Sequence, residues 1–148
     1  MAKKISELNE QQRYVTLMVD EIHLKPFFYY KGGNIAGTAL NNAEAANSAF
    51  VFMVHSLKCK FKEVARIVPV QKANGEFLLN ILGDVIRGLE KIGYKVMCVV
   101  TDNNAVNRSA MVPFKYSVFS ESGPSALRVV GAKHNLKHYE ETASFIDE

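Results

Sequence analysis

The chain has 148 residues, 48% of them hydrophobic and 22% charged, with 18 basic against 15 acidic side chains and a formal charge of +3. That length suits one domain with a proper core, and the composition excludes a disordered chain. The mild positive charge neither demands nor excludes a nucleic-acid partner.

Two cysteines, Cys59 and Cys98, share no metal-ligand spacing and read as reduced thiols of an intracellular protein. No apolar run reaches the roughly 18 residues of a membrane span, and Met1-Ala2-Lys3-Lys4 is too polar to open a secretory signal. The expectation is a protein that is not secreted and has no membrane partner.

In chain order, Lys3 to Arg13 is charged and Gln-rich, with Ile5 and Leu8 three apart, and predicts a short surface helix. Tyr14 to Glu21 predicts a strand with Val15, Leu17 and Val19 on one face and Thr16, Met18 and Asp20 on the other. Phe27 to Tyr30, the turn Lys31-Gly32-Gly33-Asn34, and Ile35 to Thr38 read as a hairpin, because Gly-Gly supplies positive φ angles. After an Asn-rich connection, the apolar run Ala49 to Ser56 predicts a central strand covered on both faces. A basic turn, Lys58 to Lys62, leads to an antiparallel strand from Glu63 to Val70, with Pro69 where an edge can spare a donor.

Gly75 to Ile92 predicts the main helix, with Asn74 as N-cap and Gly93 as the stop. Its apolar positions recur at three- and four-residue steps, from Phe77 and Leu78 to Leu89 and Ile92. The buried strand Tyr94 to Thr101 follows and ends at Asp102, and a crossover helix makes that strand parallel to a neighbour. A second helix starts near Asn104, with Ala105, Val106, Ala110 and Met111 inward and Pro113 limiting its length.

Asp20 and Asp102 stand where two apolar runs stop. Such acids often bond nearby backbone amides, and taken alone these two favour that role. Side by side, they would instead form a divalent-metal site, because hard cations take oxygen ligands. Glu21 points to the face opposite Asp20 and suits a structural role. His23 and His55 have no second ligand at a metal-binding spacing. The aromatics Phe27 to Tyr30 read first as cover for a sheet and second as a surface for stacking bases. Lys58, Lys60 and Lys62 read as a solvated turn, with phosphate tracking as the alternative. Asn107 reads as a helix-surface residue.

Three antiparallel strands, a helix and a parallel strand begin a ribonuclease H-like α/β fold. The segment Arg13 to Ile22 resembles the "LMFDEM" stretch of P element-type transposases, including their THAP-domain-containing relatives. Ala49 to Val54 resembles their "ALVFMV" segment, and Gly93 to Asp102 with Asn107 resembles their "G-x-K-V … D-x-x-x-x-N" segment. The likeness runs from about Ile5 to Met111. It implies a mixed sheet with an inserted hairpin, C-terminally incomplete, with residues 1–112 as a partial transposase core and 113–148 as a divergent tail.

The resemblance also implies catalytic, metal-binding roles for Asp20 and Asp102 with Mg²⁺ or Mn²⁺, transposon-end DNA as partner, and a nuclear location. A homo-oligomer is compatible with it. The family's third acid, a Glu, lies beyond an inserted guanine-nucleotide-binding domain that has no place in these residues. His134-Asn135-Leu136-Lys137 is a faint echo of the family's later "DPPHLLKN" motif, and Glu140, Glu141, Asp147 and Glu148 read as a solvated terminus rather than a relocated acid. The expected function is a partial catalytic domain, inactive alone. The alternatives are a domesticated DNA- or protein-binding remnant, and a phosphatase or receiver-like domain, which the antiparallel start disfavours.

Overall fold

The computed structural model describes residues 6–102, 104–112 and 128–131. Residues 1–5, Asn103, Pro113, the His134 to Lys137 segment and the C-terminal acids lie outside the described residues.

The N-terminal segment forms a single 3₁₀ turn, Gln11–Arg13, rather than the expected helix. Asn9 and Gln12 explain the short turn: each side-chain oxygen accepts from the other's backbone N–H, at 2.9 and 3.1 Å, which closes one turn and no more. Strand β1, Tyr14–His23, then buries Val15, Leu17 and Val19. It runs two residues past the predicted end, because β4 continues to pair with it as far as His23.

Strands β2, Tyr29–Lys31, and β3, Asn34–Ala36, form a separate two-stranded sheet. Gly32 and Gly33, with φ of 57° and 86°, make its turn. The aromatics expected to cover a sheet are instead exposed on this hairpin.

Strand β4, Ser48–Ser56, lies between β1 and β5, Lys62–Val70, and is antiparallel to both. Phe50, Phe52 and Val54 face the core while Val51 and Met53 are half-buried on the other side, which explains the continuous apolar run. Edge strand β5 accommodates Pro69, as its sequence predicts.

Helix α1, Gly75–Lys91, starts where the Asn74 side chain accepts the Phe77 N–H at 2.9 Å. It ends in a Schellman pattern: Gly93, at φ 103°, donates to the Glu90 carbonyl and Tyr94 donates to that of Leu89. Its buried stripe of Leu78, Ile81, Leu82, Val85, Ile86 and Leu89 joins the sheet's inner face in one core. Each such side chain contributes about 1.5–3 kcal/mol when fully buried.

Strand β6, Lys95–Thr101, pairs parallel to β1, and helix α2, Ala105–Met111, follows it. Within α2, Ala110 and Met111 are buried as expected; Ala105 is exposed and Asn107 takes an inward position. Gly75 lets the two helices approach, since a Cβ there would lie 2.6 Å from the Ser109 side chain. Strand β7, Arg128–Gly131, was not legible in the sequence and pairs parallel to β6. The sheet order is β5-β4-β1-β6-β7. Among the described residues no helix is long and apolar enough to cross a membrane.

Candidate metal centre

The parallel β1–β6 pairing ends with Val19 opposite Thr101, so Asp20 is the next residue of β1 and Asp102 is the first residue after β6. Asp20 is therefore not at the end of its strand. It stands where β1 loses its β6 neighbour while remaining paired through Val51 of β4. Both aspartates are exposed.

A bulge at Met97 sets the face. Val15 pairs with Val96, but Thr16 pairs with Cys98, leaving Met97 without an opposite residue. Beyond it, Val99 and Thr101 are buried, whereas Cys98 and Val100 share the face of Thr16 and Met18. Continuation of that alternation gives Asp102 the same phase as Asp20. An unbroken two-residue period from Val96 would have sent Asp102 to the core side.

Asp102 is held by the start of α2. The Asn107 side-chain amide donates to Asp102 Oδ1, and the Asn104 side-chain amide donates to Oδ2 at 3.3 Å. Asn104 also caps the helix, its Oδ1 accepting the Asn107 N–H at 2.8 Å. Asn107 is 1% exposed, so it is not the surface residue its polarity predicts; its place five residues after Asp102 was the available signal. Asp20 Oδ1 accepts the Glu21 N–H at 2.9 Å.

The remaining candidates do not gather here. His23, His55, Lys58, Lys60 and Lys62 are exposed, and Glu21 is half-buried at a position that alternation turns away from Asp20. Among the described residues, no group of three or more His, Cys, Asp and Glu side chains converges on a metal-sized site. Two exposed carboxylates, one oriented by a buried amide, fit a hard cation: Mg²⁺ takes one or two protein carboxylates and completes its shell with water and substrate oxygens.

Three antiparallel strands extended by parallel strands after a crossover helix define a ribonuclease H-like domain of the transposase type. The family model described as TNP-like, RNase H N-terminal domain matches residues 1–115, and the chain belongs to that family. In structure it is similar to the Drosophila P element transposase strand transfer complex, with a TM-score of 0.65 and 16% identity over 88% of this chain. A weaker likeness, with a TM-score of 0.43 and 15% identity over 97% of this chain, is to the Mos1 Strand Transfer Complex. The chain spans 30% of the P element transposase chain and 43% of the Mos1 chain. No curated protein matches it in sequence.

Proposed function

We propose that this chain forms the N-terminal part of the catalytic domain of a P element-type DNA transposase, with Asp20 and Asp102 as ligands for Mg²⁺ or Mn²⁺. Its substrate is transposon-end DNA and its location is nuclear. The observation that carries the metal reading is that Asp20 and Asp102 directly follow the Val19–Thr101 pair, with Asn107 holding Asp102. The family match and a fold similar to a strand transfer complex support the transposase reading.

Metal bound between these acids would supply Lewis acidity for in-line displacement at phosphorus. The chain's own contribution is to hold the two carboxylates on a rigid sheet and to fix the Asp102 carboxylate by amide donors. Two carboxylates recruit metal but leave a second ion poorly fixed, and a small displacement of a reacting group costs about 10²-fold in rate. These 148 residues are therefore inactive alone.

Two measurements test the reading. Millimolar Mg²⁺ or Mn²⁺ raises the melting temperature of the native chain by ligand linkage, and raises it less after Asp20→Asn. An identical response in both rejects the site and favours a non-catalytic remnant. With labelled DNA and Mn²⁺, the purified chain gives no cleavage; cleavage that Asp102→Ala abolishes would overturn the inactivity claim.

A further inference from the structure

We propose that the β2–β3 hairpin is a stacking platform for unpaired nucleobases of a DNA strand, with Lys25 and Lys31 on the flanking phosphates. The inference rests on the DNA reading above and adds the surface that engages the strand.

Four consecutive aromatics, Phe27, Phe28, Tyr29 and Tyr30, are all exposed, with Tyr30 at 71% and Phe27 at 61%. Single exposed apolar residues are common, but a contiguous set on one short element marks an interaction surface. Tyr30 pairs with Ile35, itself 67% exposed, so these two form an apolar face of the hairpin, and Phe28, just before β2, is exposed as well. On the other face the Phe27 and Tyr29 rings lie 6.1 Å apart at 53° and line a cavity of about 550 Å³ with Lys25 and Pro69. Both faces thus present aromatic surface.

The platform is held in place. Gly37, at φ 96°, lets its backbone meet the Phe27 carbonyl, where any Cβ would collide. The Gly37 carbonyl accepts the Ala46 N–H at 2.8 Å, and Leu24 donates to the Asn47 carbonyl at 2.8 Å. Both stems are therefore tied to the chain entering β4, and a preorganised surface loses less entropy on binding.

Charge selects the occupant. From Ile22 to Ala43 there is no acidic residue, while His23, Lys25 and Lys31 are present and exposed. A second copy docked on the same patch would set these cations against their own equivalents, whereas a polyanion with flat apolar bases complements them. In chain order the hairpin follows directly after β1, the strand that carries Asp20.

The test uses the full chain and fluorescence anisotropy at one fixed salt concentration. The probes are a labelled oligothymidylate, the same backbone with abasic residues, and a duplex. The expected result is tightest binding to the base-bearing single strand. The Phe27→Ala/Tyr29→Ala double variant, on the face shared with Lys25 and Lys31, weakens that binding at least about five-fold, while Tyr29→Phe and Leu57→Ala, just past the end of β4 and away from the hairpin stems, leave it unchanged. The abasic comparison needs no variant, so it decides the matter even if the double variant melts early. Equal affinity for the abasic strand, or an unaffected double variant, overturns the platform and leaves the DNA reading standing. Absence of all DNA binding alongside an intact Asp20-dependent metal response overturns the platform and spares the metal site. Dimerisation that the double variant abolishes assigns the patch to a second copy and overturns the inference.

Discussion

The Thr16 hydroxyl and the Cys98 thiol meet at 3.3 Å across the β1–β6 pair. Their contact shows that β6 has already regained step with β1 one residue after the Met97 bulge. Everything downstream, including the phase of Asp102, follows from that recovery.

Deleting Met97 should therefore remove the bulged residue without changing which side chains face which way. The expected outcome is a folded chain whose Mn²⁺-dependent rise in melting temperature persists. If thermal denaturation shows the deletion variant unfolded, or folded without a metal response, Met97 is part of the register and the phase argument fails.

Asn107→Ala tests the hold on Asp102. A hydrogen bond to a charged group contributes about 1.5–3 kcal/mol. The stability loss should fall at the low end, because Asn107 Oδ1 is buried with no hydrogen-bond partner among the described residues. Metal affinity should fall further, by about 10- to 100-fold, since the carboxylate loses its orienting donor. Calorimetric titration with Mn²⁺ reads this directly; unchanged affinity would mean Asp102 is held well enough without the amide.

Gly75→Ala separates helix propensity from packing. In an open helix the change stabilises by roughly 0.5–1 kcal/mol, but here the new Cβ would lie 2.6 Å from Ser109 Cβ and Oγ. Pushing α2 away from α1 should cost about 1–3 kcal/mol in urea denaturation and weaken the metal response, because α2 carries Asn107. A stabilised variant would show that the helices adjust without strain.

Tyr94 governs alkaline behaviour. Burial, then the nearby Glu63 carboxylate, pushes its hydroxyl above the ordinary value of 10.0. The folded state thus keeps the proton that the unfolded state releases, so the stabilisation is complete below pH 10 and is lost as pH rises through the folded value. Lys95 adds to the same trend, its ammonium held by the Tyr14 hydroxyl and by Glu10. Tyr94→Phe removes a buried hydroxyl that has no hydrogen-bond partner among the described residues. Its stability at pH 7 should match or exceed the native chain's, and its loss of stability above pH 10 should be shallower. A steeper alkaline loss in melting measurements would contradict the assigned cause.

Local chemistry made much of this protein legible from sequence. Asn74 and Gly93 marked both ends of α1, Gly32-Gly33 marked the hairpin turn, and strict alternation in β1 separated Val15, Leu17 and Val19 from the face that carries Asp20. Each signal acts within a few residues, through a cap, a backbone angle or a side-chain period. Tertiary structure decided the rest. Whether Asp102 shares a face with Asp20 depends on a bulge at Met97 that exists only because β6 pairs with β1, some eighty residues away. Asn107 looked like a surface residue until α2 turned it against Asp102, and β7 became a strand by pairing with β6. The aromatic hairpin carried a pattern that favours cover for a sheet, and only the fold showed its rings exposed. Periodicity distinguishes faces but cannot say what will pack against them; pairing between distant strands supplies that answer.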